Sequence, residues 1–392
     1  MALLQDAPSL PRNADAPTPS LVRIRHPDYK DAENTLLCLR ALDDGGLDYD
    51  TALAACSIVT GNTSTGFFTT LEQRLERVAR PDDGVLRGTD YFFQLPDSDG
   101  VSRPYPVIPR FEDWSFPHGA LPSPWNEYNK VIHEATTACR ITDAMWGIQK
   151  AHVVPDQVNS WWDREQLDQY VLTERSTQRS IDAAANLMPM RSDLHTVFDA
   201  KAFAIVPKRD SRSAGTARGD LSLVVHIINP IPDPYFQQNF HNRKVLPLRC
   251  SIQCLFARFA WTVFSPNVMS HFLNRCITRR KLLVRDPETG ALTLEERNIG
   301  QLRDLLETSR SRSASPRKRK MPGEADSDVN IAQYDTPFSD VSDNSQGDNE
   351  WPTEASPSRG RSMKRRWASD QDARDRIAQK RAKAGLDVVT MR

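Results

Sequence analysis

The sequence changes from a strand pattern to a helix pattern within residues 185–199, which read Ala-Asn-Leu-Met-Pro-Met-Arg-Ser-Asp-Leu-His-Thr-Val-Phe-Asp. The first six of these residues form a mostly apolar, strand-like run. Ser192 is of a type that caps helix N-termini, and Leu194 and Phe198 lie one helical turn apart on a single apolar stripe. The pattern predicts a strand that passes directly into a short helix with one buried face.

A second strand-like run lies upstream, at residues 148–154, which read Ile-Gln-Lys-Ala-His-Val-Val and stop at Pro155. Two further strand-like runs follow the predicted helix, at residues 202–206 and 221–228. The order is strand, long loop, strand, helix, then two more strands. We therefore predict the α+β class for this part of the chain.

Two side chains of the predicted helix have the chemistry of metal ligands. His195 and Asp199 are four residues apart, so both project from one helix face, and an imidazole with a carboxylate suits one divalent cation. On the upstream strand, the neutral imidazole of His152 suits a general base near neutral pH. A base and a cation together are suited to hydrolysis of a phosphodiester. Asn186 lies between them and suits a positioning role, either holding the imidazole tautomer or tying the hairpin loop.

The two histidines and the asparagine have the order and spacing of a known nuclease motif. The matching residues are Cys139-x-x-Thr142, Ala151-His152-Val153-Val154-Pro155, Asn186-Leu187 and Asp193-Leu194-His195-x-x-Phe198-Asp199. This pattern resembles the HNH endonuclease family, in its HNH_2-like branch. The resemblance implies a ββα-metal (His-Me finger) nuclease module at residues 139–207, with His152 as the general base and Asn186 as the hairpin asparagine. It assigns metal binding to His195, with Asp199 as a supporting ligand.

The chain departs from the common HNH pattern at the position before the base. Many HNH enzymes have an Asp or His ligand there, whereas this chain has Ala151, so one ligand is unaccounted for. The loop between the base and the hairpin asparagine contains three acids that can supply it, or the loop can obstruct a substrate groove. These acids are Asp163, Glu165 and Asp168. The same loop contains Trp161 and Trp162, which can stack on bases or pack beneath the loop.

The resemblance extends beyond the motif, since the chain is also similar to a family of fungal HNH proteins over residues 22–275. The supporting segments are Arg25-His26-Pro27-Asp28-Tyr29, Asp113-Trp114-Ser115-Phe116-Pro117-His118 and Phe256-Ala257-Arg258-Phe259-Ala260-Trp261. Apolar spacing predicts buried helices at residues 51–60 and within 248–264. The module is thus expected to be embedded in a mixed α+β body.

Composition shifts and proline clusters predict the domain organisation. We expect a disordered N-terminus at 1–20, an N-terminal α+β unit at 21–125, the HNH nuclease domain with C-terminal helices at 126–275, a connecting segment at 276–308 and a disordered charged tail at 309–392. The tail contains too few apolar residues to offset the backbone entropy lost on folding.

Charge is distributed unevenly, although 51 Lys and Arg balance 51 Asp and Glu. The tail contains 17 bases and 13 acids, which leaves a net charge of −4 on residues 1–308. An acidic body needs a local basic surface, or the metal itself, to accept phosphate. Basic clusters of the tail, among them residues 317–320 and 364–366, resemble nuclear localisation signals and can also attract DNA directly.

Composition also argues against other classes of protein. No apolar run approaches the roughly 20 residues of a transmembrane helix, and the first 20 residues lack the apolar core of a signal peptide. The 6 cysteines are too few and too scattered for a disulfide framework. We expect a soluble intracellular protein whose cysteines are reduced and mostly pack in the core.

Together these observations predict an HNH endonuclease that hydrolyses DNA phosphodiester bonds with one divalent cation. Mg2+ or Mn2+ is the expected cation, and Zn2+ and Ni2+ are the alternatives. The predicted partners are DNA and, through the basic tail, the nuclear import machinery, with no membrane partner; the predicted location is the nucleus, otherwise the cytoplasm. The alternative is a catalytically degenerate HNH module that serves as a nuclear DNA-binding or protein-binding scaffold.

Overall fold

The computed structural model of the chain describes residues 21–30, 33–70, 76–96, 105–130, 136–171, 179–209, 220–229, 234–274, 279–298 and 300–305. All of them belong to the first of two compact units, Met1–Arg319, and the second unit is Lys320–Arg392. The predicted disordered ends, 1–20 and 309–392, lie outside the described residues, as do the basic clusters of the tail.

The described chain contains both strands and helices, as the α+β prediction requires. In chain order they are β1 Leu21–Arg25, β2 Thr35–Arg40, β3 Leu47–Asp48, α1 Tyr49–Val59, β4 Phe67–Thr69, β5 Val85–Leu86, β6 Asp90–Gln94, β7 Ile148–His152, α2 Asn159–Arg164, β8 Leu187–Arg191, α3 Ser192–Asp199, β9 Phe203–Arg209, β10 Leu221–Ile227, α4 Pro234–Phe240, α5 Ile252–Val263, α6 Pro266–Asn274, β11 Arg280–Arg285 and β12 Leu292–Arg297. The mixed helix and strand composition is therefore confirmed.

The N-terminal part of the chain is built on a four-stranded sheet of order β2-β1-β6-β4. Strand β1 pairs antiparallel with β2 and parallel with β6. Helix α1 confirms the prediction for residues 51–60, and its N-cap is Asp48, whose side chain accepts from the backbone N–H of Thr51 at 2.8 Å. Helix α6 packs against β2, so a helix late in the chain lies on the N-terminal sheet.

Strands β7 and β8 form an antiparallel pair, and α3 follows β8 without a loop. His152 lies opposite Leu187, and Ile148 lies opposite Arg191. Because side chains alternate between the two faces of a strand, Ala151, Met188 and Met190 share one face, and all three are fully buried. The predicted order of strand, loop, strand and helix is thus observed.

Helix α3 begins one residue earlier than its predicted capping pattern requires. Ser192 was expected to be the N-cap, but it is the first helical residue, and Arg191 occupies the cap position without a side-chain hydrogen bond. The backbone N–H of Ser192 donates to the carbonyl of Gly147 at 2.9 Å, which attaches the helix start to the entry of β7. Tertiary contact here satisfies the donor that a capping side chain would otherwise bind.

The predicted helix within residues 248–264 is α5, which packs against β9 and α1. It begins only at Ile252, because Ser251 is the N-cap and accepts from the N–H of Cys254 at 3.1 Å. Its residues Cys254 to Val263 are all buried, so the helix lies in the centre of the core rather than on its edge. Five cysteines are buried and form no disulfide, as expected of packing residues, and Cys276 lies outside the described residues.

One hydrophobic core extends through the predicted units 21–125 and 126–275. Trp125, at the expected boundary, packs on Phe256 and Phe259 of α5 with ring centroids 5.1 and 5.5 Å apart. The expected connecting segment, 276–308, contains the β11–β12 hairpin, whose Leu282 is fully buried and forms a bridge with Val107. Within the part of the chain that the structure describes, no helix is long and apolar enough to cross a membrane.

Candidate active site

His152 is the last residue of β7, and its imidazole is paired with a carboxylate. Its Nε2 lies 2.9 Å from Oδ1 of Asp182, and the two side chains are 31% and 29% exposed. Because the hydrogen bond from His152 stabilises the carboxylate, the pKa of Asp182 lies below its ordinary value. An ionised carboxylate accepts only, so Nε2 carries the hydrogen and Nδ1 keeps its lone pair.

Asp182 is itself held in place by Arg179, whose Nε lies 3.1 Å from Oδ2. Arg179 also pairs with Asp156 at 2.7 Å, just beyond the end of β7. Among the described residues, Nδ1 of His152 has no hydrogen-bond partner, and the side chain is partly exposed. This nitrogen is therefore a lone-pair acceptor accessible to solvent.

Sequence reasoning did not single out Asp182. The residue lies in a 3-10 turn, Ser180–Asp182, at the end of the long loop, 30 positions from the histidine that it contacts. The one feature of the sequence that could have pointed to Asp182 is its position four residues before Asn186, in the segment that leads into β8. Only the closure of the loop against the end of β7 reveals the pairing.

Asn186 is fully buried, and its amide bonds to the backbone rather than to His152. Its Oδ1 accepts from the N–H of Val154 at 2.8 Å, and its Nδ2 donates to the carbonyls of Val154 at 3.0 Å and Ile181 at 2.8 Å. Of the two roles considered for this residue, the geometry matches the tying of the hairpin loop. It joins the segment after His152 to the segment that carries Asp182.

His195 and Asp199 face each other on α3, as their spacing predicts. Nε2 of His195 lies 3.3 Å from Oδ2 of Asp199, whose side chain is 57% exposed. Nδ1 of His195 lies 2.7 Å from Oε1 of Gln149 on β7. A carbonyl oxygen only accepts, so Nδ1 donates, and the lone pair of neutral His195 is on Nε2, facing the carboxylate. Two lone-pair donors that face one gap, with the imidazole oriented from behind, fit a divalent cation.

The His152–Asp182 pair and the His195–Asp199 pair are separate in this structure. Residues 149 and 151 alternate with residues 150 and 152 along β7, so Gln149 lies on the α3 side and His152 on the other. Within the described part of the chain, His152 makes no hydrogen bond or ion pair with His195 or Asp199. Nor does a third His, Cys, Asp or Glu join the pair on α3 at metal-binding distance there.

The structure does not bring the acids of the long loop to α3 as a third ligand. Asp163 accepts from Asn159 at 2.9 Å, and Glu165 is buried, accepting from the N–H of Phe116 at 3.0 Å. Trp161 and Trp162 are both buried. Trp161 stacks on Trp114 with an interplanar angle of 7°, and Trp162 donates to Ser180 at 2.9 Å. Both tryptophans are core residues rather than a platform for bases.

A fully buried arginine connects the two halves of the site. Arg258 of α5 donates from Nη1 to the carbonyl of Val153 at 3.4 Å and from Nη2 to the carbonyl of Phe198. Its guanidinium lies 3.5 Å from the ring centroid of Phe198. Val153 follows His152 and Phe198 precedes Asp199, so one side chain fixes the backbone beside the base and beside the ligand. Burial lowers the pKa of Arg258 to about 9, while Asp199 acts to raise it.

A second polar cluster has the spacing of a metal site but not its hydrogen-bonding pattern. Asp43, His226 and His241 are buried, with one potential ligand atom each within 4.8 Å of the others. Oδ1 of Asp43 already lies 2.6 Å from Nζ of Lys208 and 3.0 Å from Nε2 of His241. The N–H of Ile227 donates to Nδ1 of His241 at 3.2 Å, so neutral His241 carries its hydrogen on Nε2 and has no free lone pair.

The same carboxylate therefore acts as the centre of a buried ion pair. Burial by itself would raise the pKa of Asp43, but the charge of Lys208 and the bond with His241 hold it well below its ordinary value. Burial lowers the pKa of both His226 and His241, so both rings are neutral. The cluster joins the turn after β2 to β9 and β10, and we assign it a structural role.

Comparison with known families relates the segment that carries this site to a nuclease family. Residues 138–206 match the model of the family described as HNH endonuclease, HNH_2. The match covers β7, β8, α3 and most of β9, and it overlaps the motif bounds of 139–207 that the resemblance implies. A search of curated proteins and a search of solved structures gave no match. Residues 138–206 are thus similar to the HNH endonuclease family.

Proposed function

We propose that this chain is an HNH-type, divalent-metal-dependent endonuclease that hydrolyses DNA phosphodiester bonds. The observation that carries the proposal is the pair on α3, in which Nε2 of His195 faces Oδ2 of Asp199 at 3.3 Å inside the matched family segment. The strand pair β7–β8 followed by α3 has the order of a ββα-metal module. The partly exposed His152, paired with an ionised acid, supplies a base in the same module.

His152 activates the nucleophile in this proposal. A water molecule donates its proton to Nδ1 of His152 as its oxygen attacks phosphorus, and the ester bond from phosphorus to the leaving oxygen breaks. The Asp182 carboxylate stabilises the imidazolium that forms. Asn186 acts as a positioning residue, because its hydrogen bonds fix the loop segments on both sides of the base. His195 and Asp199 would hold the cation, and Gln149 would keep Nε2 of His195 directed to it. A cation bound there supplies positive charge to the phosphate and to the leaving oxygen.

Nicking of supercoiled plasmid by the full chain tests this mechanism. With Mg2+ or Mn2+ present, His152→Ala should abolish nicking and retain cation binding, because the base does not hold the metal. His195→Ala should lose both activities. Cation binding is measured by titration calorimetry on each variant. Wild-type protein that neither cuts DNA nor binds Mg2+, Mn2+, Zn2+ or Ni2+ would show the catalytic proposal to be wrong.

One observation favours a second function, a DNA-binding or protein-binding scaffold. In the described residues only two protein ligands face the gap on α3, and the base lies on the other side of β7. Two ligands are nevertheless sufficient for Mg2+, which keeps several waters and also binds substrate phosphate. The scaffold predicts DNA binding that survives His152→Ala and needs no cation, together with an absence of cleavage in the assay above.

We further propose that the basic tail clusters at residues 317–320 and 364–366 bring the chain to the nucleus through the import machinery. Their bases lie close together in a segment of low apolar content, as import signals require. Replacing the bases of both clusters with alanine should move a fluorescent fusion from nucleus to cytoplasm. An unchanged distribution would contradict this assignment.

A further inference from the structure

An open groove of about 380 Å3 lies along the β7–β8 hairpin. Lys150 of β7 and Pro189 of β8 both line it and are cross-strand partners. Lys150 and His152 are two residues apart on one strand, so they share a strand face. Leu187, the cross-strand partner of His152, also lines the groove. The groove thus borders the face of the hairpin on which the base lies, and it also reaches Gln149 on the α3 side.

The groove is basic, although residues 1–308 as a whole are acidic. Three of its twelve lining residues are basic, Arg140, Lys150 and Arg249, and none is acidic. Within the described residues, none of the three bases forms an ion pair with a carboxylate. Arg179, close to His152, is by contrast neutralised by two aspartates. Three unneutralised cations around one groove indicate an anionic partner.

Two contacts attach the segments that carry Arg140 and Arg249 to the outer edge of β8. The N–H of Arg140 donates to the carbonyl of Pro189 at 3.1 Å, and Sγ of Cys250, next to Arg249, donates to the carbonyl of Leu187 at 3.4 Å. The guanidinium of Arg140 is oriented by the carbonyl of Pro247 at 2.6 Å. For Arg140, such anchoring lowers the entropy cost of binding, because its charge is already in position.

We propose that this groove binds the phosphate backbone of the DNA strand that leads to the scissile bond. Lys150 and His152 are about 6.8 Å apart along the strand, so a backbone that Lys150 contacts passes next to the base. The apolar side chains of Ile148 and Leu187 line the same groove as the three basic side chains and suit contact with the sugars of the DNA. The groove is the local basic surface that an acidic body requires to bind phosphate. Its assignment to DNA rests on the proposed nuclease function.

Binding without catalysis tests the groove. The full chain carrying His152→Ala, in EDTA, is titrated against a fluorescein-labelled DNA duplex at several salt concentrations. Adding Lys150→Gln and Arg249→Gln together should weaken binding about tenfold or more, and the slope of log K against log salt should fall by about 1.8, since each lost phosphate contact removes about 0.9. Both residues are exposed, and unfolding temperatures check that the variants fold. The matched control is Lys30→Gln, an exposed lysine of the N-terminal unit, which should leave affinity and slope unchanged.

If the Lys150→Gln, Arg249→Gln variant has the same affinity and salt slope as the His152→Ala parent, the groove does not bind DNA. A parent that does not bind DNA at all would contradict the proposal equally. Cleavage assays separate this result from the proposed hydrolysis. If wild-type protein cuts no DNA while the double variant loses binding, the groove stands and hydrolysis is wrong. If wild-type protein cuts and the double variant in the wild-type background keeps its KM, the groove is wrong and hydrolysis stands. The two proposals together predict a KM raised about tenfold with little change in kcat.

Discussion

His152 and His195 use their ring nitrogens in the same way but for different chemistry. Each ring has one nitrogen bonded to an oriented oxygen acceptor, Asp182 or Gln149, and this bond leaves the other nitrogen with its lone pair. The acceptor of His152 is charged and can stabilise an imidazolium, which suits a base. The acceptor of His195 is a neutral amide that orients the ring so that Nε2 faces Asp199, which suits a metal ligand. The partners, more than the histidines themselves, distinguish the two roles.

At the residue scale, Asp182→Asn should lower kcat of DNA cleavage about 100-fold or more. The amide can donate to Nε2 of His152, which favours the tautomer with hydrogen on Nδ1, and a general base contributes about 100-fold to 10,000-fold. The matched control is Asp156→Asn, because Asp156 shares the contact with Arg179 but does not touch His152. Steady-state cleavage of a labelled duplex measures both variants. Equal loss in the two would indicate that the variants act through Arg179 and the loop rather than through the base.

At the scale of elements, α5 connects β7 to α3. Arg258 is a positioning residue that donates to the carbonyl after His152 and to the carbonyl before Asp199, and its Nε is buried without a hydrogen-bond partner. A buried guanidinium without a carboxylate partner is unfavourable by itself, so its cation–π contact with Phe198 and its backbone bonds offset that cost. The strand that carries the base and the helix that carries the ligands are therefore held together from beneath the site.

Arg258→Ala should slow cleavage and be rescued by guanidinium. Removal of the side chain leaves a cavity and frees the backbone on both sides, so kcat should fall more than tenfold. Guanidinium chloride, far below denaturing concentration, should restore several-fold of this loss, whereas the same concentration of NaCl should not. The control is Arg280→Ala, since Arg280 is also fully buried but packs on Tyr29 and Phe272. Similar rescue of both variants, or of neither, would argue against a specific positioning role for Arg258.

At the scale of the whole molecule, buried neutral histidines join distant parts of the core. Burial lowers the pKa of His26 to about 3, and its Nε2 bonds to the carbonyl of Tyr105 at 3.0 Å. His226 and His241 lie with Asp43 between the turn after β2 and the β9–β10 pair. Each of these histidines is neutral in the folded chain at a pH where the unfolded chain begins to bind protons.

Stability should therefore fall as pH decreases from about 6.5, the unfolded histidine pKa, toward 3. A depressed folded pKa contributes stability that is present above the unfolded pKa and is lost below it, at about 1.4 kcal/mol per pH unit for each group. Asp48 acts in the opposite direction, since burial raises its pKa to about 6, but one such group is outnumbered by three histidines. Urea unfolding at several pH values measures the slope.

Single substitutions assign this slope to particular residues. His26→Gln should reduce it below pH 6.5, because the glutamine does not titrate, whereas the exposed His118→Gln should leave it unchanged. A free energy of unfolding that stays constant between pH 7 and pH 5 would contradict the predicted burial of the three neutral histidines.

The elements of this protein were predictable because short-range patterns specify them. The strand-like run before Pro155, the change from strand to helix pattern at residues 185–199 and the apolar spacing of α5 all predicted the observed elements, with errors of a few residues at their ends. The i and i+4 spacing of His195 and Asp199 likewise predicted that they face each other, because helix geometry alone sets that distance.

Contacts between distant segments were decided only by the tertiary structure. Asp182 lies 30 positions from His152, and Arg140 and Arg249 approach β8 from opposite sides in sequence, so no local pattern predicts that they meet. The same holds for the single core that joins the two predicted units. Local geometry follows from a few backbone dihedrals and can be read from the sequence. The meeting of remote side chains depends on how all the apolar surfaces are buried together, and that is a property of the folded chain as a whole.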